Sequence, residues 1–301
     1  MSAAVGAKSD DTMMFCASCG TAESDDIKLK KCTACYLVKY CSVKCQKEHR
    51  SKHKKECKKR AAELYDEILF KQPESNHFGD CPICCLPLSA DKRNSILSSC
   101  CCKQICRGCD YANKKREIEG KLEEKCAFCR KASPDTDEDC IEQLMKRIEA
   151  NDPVAICHMG TIRRGEGDYK TALDYWSRSA ALGNVEAHYQ LSNLYHEGKG
   201  VEKDEKRELH HLKEAAIGGH PEARDNLAIL EGRNGQHNRA VKHFIIAANL
   251  GFDQSLQNLK FLYKHGRLSK EDFTAALRGY QAAIAAEKSP QREEARLSPM
   301  Y

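Results

Sequence analysis

The chain of 301 residues has room for two or three domains, and 41% hydrophobic with 31% charged residues is a globular balance with much surface. No apolar run is long enough to span a membrane, and Met1 to Phe15 carries Lys8, Asp10 and Asp11 with no apolar core, so neither a membrane anchor nor a secretory leader is expected. Net charge is +5, and nineteen cysteines in a chain read as cytoplasmic or nuclear point to reduced thiols that bind metal, which excludes a secreted disulfide scaffold.

Residues 1–14 are small, polar and unpatterned, and disorder is expected there. Residues 15–60 then supply four ligand pairs: Cys16 with Cys19, Cys32 with Cys35, Cys41 with Cys45, and His53 with Cys57. Eight soft ligands suit two tetrahedral zinc ions, because a two-residue gap lets one tight backbone knuckle present both sulfurs to a single ion. The segment resembles a MYND-type zinc finger, including Tyr40 before Cys41 and Gln46 after Cys45. That resemblance implies interleaved pairs, with Cys16, Cys19, Cys41 and Cys45 on one zinc and Cys32, Cys35, His53 and Cys57 on the other. Arg50 stands where the family usually carries Trp beside a groove for proline-rich peptides, a departure that touches peptide binding and leaves metal binding intact.

Residues 1–60 hold fourteen Lys and Arg against seven Asp and Glu, and most of the excess lies between Lys44 and Arg60. A basic helix can attract nucleic acid, but no aromatic side chains interleave with these charges, so a solvated face is the expectation and nucleic acid the weaker alternative. In residues 61–79, Leu64, Tyr65, Ile68 and Leu69 have helical spacing and predict a short amphipathic connector, broken between Pro73 and Gly79.

A second cluster fills residues 80–134: Cys81 with Cys84, a run Cys100-Cys101-Cys102, Cys106 with Cys109, and Cys126 with Cys129. It resembles a RING-type finger of the all-cysteine kind. The resemblance implies that Cys81, Cys84, Cys106 and Cys109 share one zinc, and that Cys126 and Cys129 share another with two of the run. Cys100 and Cys101 are favoured, with Cys102 left open and Cys85 a spare thiol. About four zinc ions per chain are therefore expected. RING fingers usually act as ubiquitin ligases by docking a ubiquitin-charged conjugating enzyme, and Ile83 and Arg130 occupy the family's contact positions. The family's usual proline after the seventh ligand is replaced by Ala127.

Between Cys109 and Cys126, Ile118 and Leu122 stand four apart in a charged stretch and predict a helix. Residues 135–152 form an acidic linker and a helix carrying Ile141, Leu144, Met145 and Ile148.

From 153 to 287 the sequence repeats: Ala-Ala-Leu-Gly at Gly183 returns near Gly219 and Gly251, at intervals of 36 and 32 residues. Ala187, Leu191 and Leu194 return in step as Ala223, Leu227 and Leu230, then as Ser255, Leu259 and Leu262. Stacked helical hairpins explain this, since each must bury an apolar stripe against its neighbour. The units resemble Sel1-like repeats. Gly198 to Val201 and Asp204 make the second repeat fullest, and the last is degenerate. Residues 288–301, with two prolines, are expected to be a loose tail.

No phosphate loop, dinucleotide fingerprint or nucleophile elbow is present, and both clusters look ligand-saturated, with no open position for catalytic zinc. No catalytic or other cofactor-binding residue is assigned. The expected fold is two small zinc-stabilised cross-brace fingers with little regular structure, followed by an all-α helical-hairpin solenoid with a concave face for protein partners. The expected function is a protein-interaction adaptor, with a ubiquitin ligase and a non-enzymatic scaffold as the competing forms.

Overall fold

The computed structural model describes residues 14–298, so most of the stretch expected to be disordered lies outside the described residues. The described chain forms two compact units, up to Lys71 and from Gln72 onward.

In the first unit, a two-stranded antiparallel ribbon pairs β1 (Lys30–Lys31) with β2 (Lys39–Tyr40), and helix α1 (Val43–Leu69) follows. Ser42 caps α1 by accepting the Cys45 N–H at 3.2 Å. No Gly or Pro interrupts residues 43–69. The separate connector helix expected after residue 60 is therefore the last turns of α1, and residues beyond Leu69 leave the helix.

The second unit opens with an antiparallel hairpin, β3 (Ser95–Ser98) and β4 (Lys103–Cys106), in which Ser95 faces Cys106 and Ser98 faces Lys103. Its turn carries the cysteine run. Helix α2 (Arg107–Glu119) follows, and α3 (Asp137–Glu149) starts with a capping box between Thr136 and Asp139, a device that contributes about 1 kcal/mol.

Four helical hairpins complete the stack: α4 (Pro153–Gly165) with α5 (Tyr169–Ala181), α6 (Val185–Glu197) with α7 (Glu205–Ile217), α8 (Pro221–Arg233) with α9 (His237–Asn249), and α10 (Asp253–Lys264) with α11 (Lys270–Ala286). The extra residues at Gly198 to Asp204 form the longer loop of the second hairpin. Gly183, Gly219 and Gly251 share φ of 83°, 83° and 84°, the left-handed conformation that ends the second helix of each repeat and that a Cβ disfavours. Trp176 is fully buried between α4 and α5, where its indole N–H donates to the Cys157 carbonyl at 3.0 Å.

The second finger is seated along the solenoid's inter-repeat turns. The His77 N–H donates to Gly219 O at 3.1 Å, and Gln72 exchanges hydrogen bonds with the α9 C-terminus through Ile246 O and Asn249. Lys92 reaches Glu186 at 2.9 Å and Glu222 at 3.7 Å.

The expected loose tail is corrected: Pro290–Leu297 is helix α12, packed on α2. Ser289 caps it and Pro290 sits at its first turn, where the missing N–H costs nothing, so this proline starts a helix instead of breaking one. At Gly108 a Cβ would lie 2.9 Å from the Arg292 Cα, so only glycine permits the approach. The Arg292 guanidinium then donates to Pro87 O (2.7 Å), Glu287 O (2.9 Å) and Leu86 O (3.1 Å), and comes within 3.5 Å of Cys84 Sγ.

Candidate metal centres

Sixteen side chains converge into four sets, each with all donor atoms within 4.8 Å of one another: Cys16/Cys19/Cys41/Cys45, Cys32/Cys35/His53/Cys57, Cys81/Cys84/Cys106/Cys109 and Cys100/Cys101/Cys126/Cys129. All nineteen cysteines are free thiols. Four sulfurs about 2.3 Å from one zinc stand roughly 3.8 Å apart at tetrahedral angles. Observed separations are 3.6 Å for Cys19–Cys41 and Cys41–Cys45, 3.8 Å for Cys32–Cys57 and Cys84–Cys106, 3.9 Å for Cys101–Cys126, and a shorter 3.3 Å for Cys100–Cys129. Cys35 Sγ lies 3.2 Å from His53 Nε2. These donor sets fit structural zinc, four protein ligands per ion with no position left for water.

Local backbone geometry builds the sites. The residue after the second cysteine of four knuckles is left-handed: Gly20 (φ 75°), Tyr36 (57°), Cys85 (56°) and Arg130 (63°). In each, that residue's N–H returns to the carbonyl of the first cysteine. Only the first knuckle has glycine there, so the other three hold non-glycine residues in a sparsely populated conformation, at a cost of about 1 kcal/mol or more each.

The same turns aim backbone N–H groups at the first sulfur. Burial pushes the Cys16 and Cys32 thiols up, but knuckle amides, from Cys19 and from Ala34 and Cys35 respectively, outweigh it and bring each to about 6. Cys81 and Cys126 reach about 7 against burial, through the amides at Cys106 and Cys84 and through Ser98 and the Cys129 amide. Cys19 is lowered as well, through its hydrogen bond with Thr21, but other members of the sets go the other way. Shared hydrogen bonding with Cys19 raises Cys41 to about 12, burial and Cys32 raise Cys57 to about 12, and burial raises Cys101 to about 11. Without metal, a site so arranged readily forms a thiolate and resists losing every thiol proton. A divalent cation removes that resistance.

The structure selects within the cysteine run. Cys100 and Cys101 join Cys126 and Cys129, whereas Cys102 turns away, buried among Leu144, Ile148, Ile156 and Met159. Cys85 is exposed and outside every set. Ile83 is 41% exposed on its knuckle. Arg130 is held by α2, donating to Asn113 Oδ1 at 2.6 Å and lying 3.5 Å from the buried Glu117 carboxylate.

A cluster that the sequence did not reveal joins His77, Glu186 and His220, with each imidazole Nε2 3.2–3.3 Å from Glu186 Oε2. It is not a metal centre. His220 Nδ1 accepts the Ala223 N–H as the α8 cap, so neutral Nε2 carries the proton and has no lone pair for a cation. The two rings also stack 12° from parallel with centroids 4.2 Å apart, so their planes meet only far beyond bonding distance of either ring. Lys92 and Gln190 donate to the other carboxylate oxygen. Burial would raise the Glu186 carboxyl, but His220, His77 and Lys92 hold it well below the ordinary range. The cluster ties the second finger to the solenoid.

The MYND finger family matches residues 16–57, and the Sel1 repeat family matches 154–184, 185–220 and 221–252. The first unit therefore contains a MYND finger, and the helical stack contains three Sel1 repeats. Mouse and rat proteins named DAP3-binding cell death enhancer 1 are each 23% identical over 199 residues, covering 53% of this chain and 39% of theirs. The match thus spans about two fifths of those relatives' length. A Sel1 repeat protein from Oxalobacter formigenes is similar in structure at 21% identity, TM-score 0.43, covering 62% of this chain and 75% of its own. The protective antigen c5321 of uropathogenic Escherichia coli is 22% identical, TM-score 0.40, covering 55% of this chain and 37% of its own. MYND finger and Sel1 repeats together make this a zinc-binding protein of the interaction-adaptor kind.

Proposed function

We propose that the second finger is a RING-type module and that the chain positions a ubiquitin-charged conjugating enzyme for partners gathered by the first finger and the repeats. The observation that carries this reading is the interleaved order of the second cluster, first pair with third and second pair with fourth, the order expected of that module. Ile83, exposed on the first knuckle, and Arg130, directly after the last ligand, would be the contact residues. The task is placement of a thioester, for which no catalytic side chain is needed. Nineteen free thiols suit the reducing cytoplasm or nucleus, which we propose as its setting.

Ubiquitin discharge from a panel of charged conjugating enzymes tests the reading. The zinc-loaded chain should accelerate discharge with at least one of them, and Ile83→Ala should abolish the effect. No acceleration with any enzyme discards the ligase. A second reading, a non-enzymatic scaffold, is favoured by the engagement of Arg130 with Asn113 and Glu117 and by Ala127 in place of the usual proline. It expects partner binding without discharge.

A further inference from the structure

Beside the second metal set of the first finger lies a groove of about 430 Å³. Its apolar part is Ala34 and Val43, and its rim is Lys47, Arg50, Lys54 and Lys58 of α1. Spacings of three, four and four residues put those cations on one face of the helix. None of them pairs with a described carboxylate, and no acidic residue lines the groove. Glu48 and Glu56 belong to other faces of α1. The adjoining Cys32/Cys35/His53/Cys57 set, once loaded, carries about one negative charge, from three thiolates, a neutral imidazole and Zn²⁺. The cations outweigh it by about three.

We propose that this groove docks an acidic peptide segment, in place of the proline-rich ligands that the family resemblance implies. From Lys47 to Lys58 the helix rises roughly 16 Å, which matches about five residues of extended chain. A segment of Asp and Glu around one apolar residue would place its carboxylates against the four cations and its apolar side chain on Val43, which is 66% exposed. Nucleic acid fits less well. Tyr40 and His53, the groove's aromatic rings, are 4% and 6% exposed and offer no face for a base to stack on.

The inference deepens the adaptor reading and is independent of ubiquitin chemistry, so loss of discharge leaves it standing and failure of peptide binding leaves discharge standing. The test uses the full zinc-loaded chain, with zinc content and helicity checked for every variant, and fluorescence anisotropy of three probes: the peptide Asp-Glu-Leu-Glu-Asp, a proline-rich peptide and an oligo-dT strand. The acidic peptide should bind tightest, weaken with added salt, and lose about tenfold or more in affinity with Arg50→Glu and Lys54→Glu combined. Should that pair unfold the finger, Arg50→Gln with Lys54→Gln takes its place and should weaken binding in the same direction. Affinity unchanged by loss of these charges overturns the proposal, as does tighter binding of the proline-rich peptide or of the oligonucleotide.

Discussion

Replacing Arg292 by Ala removes a guanidinium that bonds three backbone carbonyls at 2.7, 2.9 and 3.1 Å and approaches Cys84 Sγ at 3.5 Å. A hydrogen bond from a charged donor contributes about 1.5–3 kcal/mol. Arg292 is half-buried, so water replaces part of what is lost, and a net cost of about 3 kcal/mol is expected. For a unit of this size that lowers the melting temperature by roughly 6–12 °C. The contact to Cys84 adds a local effect, since removing an outer partner of a metal ligand typically costs about 10–100-fold in metal affinity. Competition with a chromogenic chelator should therefore release one zinc of the four early, and circular dichroism should report the lower melting point. Arg292→Lys keeps the charge but lacks the fork and should fall between the two. If Arg292→Ala holds its metal and melts like the parent, α12 only rests on the finger and the reasoning fails.

Two further outcomes follow from the same geometry. Cys101→Ala should reduce bound zinc from about four ions to about three, whereas Cys102→Ala should keep the full complement and lose only core packing, about 1 kcal/mol; elemental analysis of the two variants decides it. Protons and zinc compete for sulfur, so affinity at the first finger should rise with pH: Cys41 and Cys57, near 12 without metal, are still protonated at neutral pH and give up their protons on binding, while Cys16 and Cys32 become protonated only below about 6. Titration with zinc in a weakly buffered indicator solution should show proton release that declines at higher pH, and release independent of pH would contradict it.

Much of the architecture was legible in the chain. Cysteine pairs with two or three residues between them announce shared ions because a short knuckle can hardly place its sulfurs anywhere else. Gly183, Gly219 and Gly251 mark the turns because those backbone angles disfavour a side chain. Other features were not. Ser289 followed by Pro290 is a helix start, but an eight-residue polar helix is stable only against a surface, and α2 could not be foreseen as that surface. The choice among Cys100, Cys101 and Cys102 turned on which thiol the α3–α4 core would take in.

Which residues bind metal in pairs, where helices begin, and how many hairpins stack are properties of short windows, fixed by ligand spacing, capping and the 3.6-residue period. Where the second finger rests is not such a property. Lys92 meets Glu186 across 94 residues of chain and Arg292 meets Cys84 across 208, and partners so distant are chosen by the shapes that surfaces acquire only after the helices have stacked. Local chemistry wrote the parts, and long-range packing decided that finger and solenoid share one folded unit.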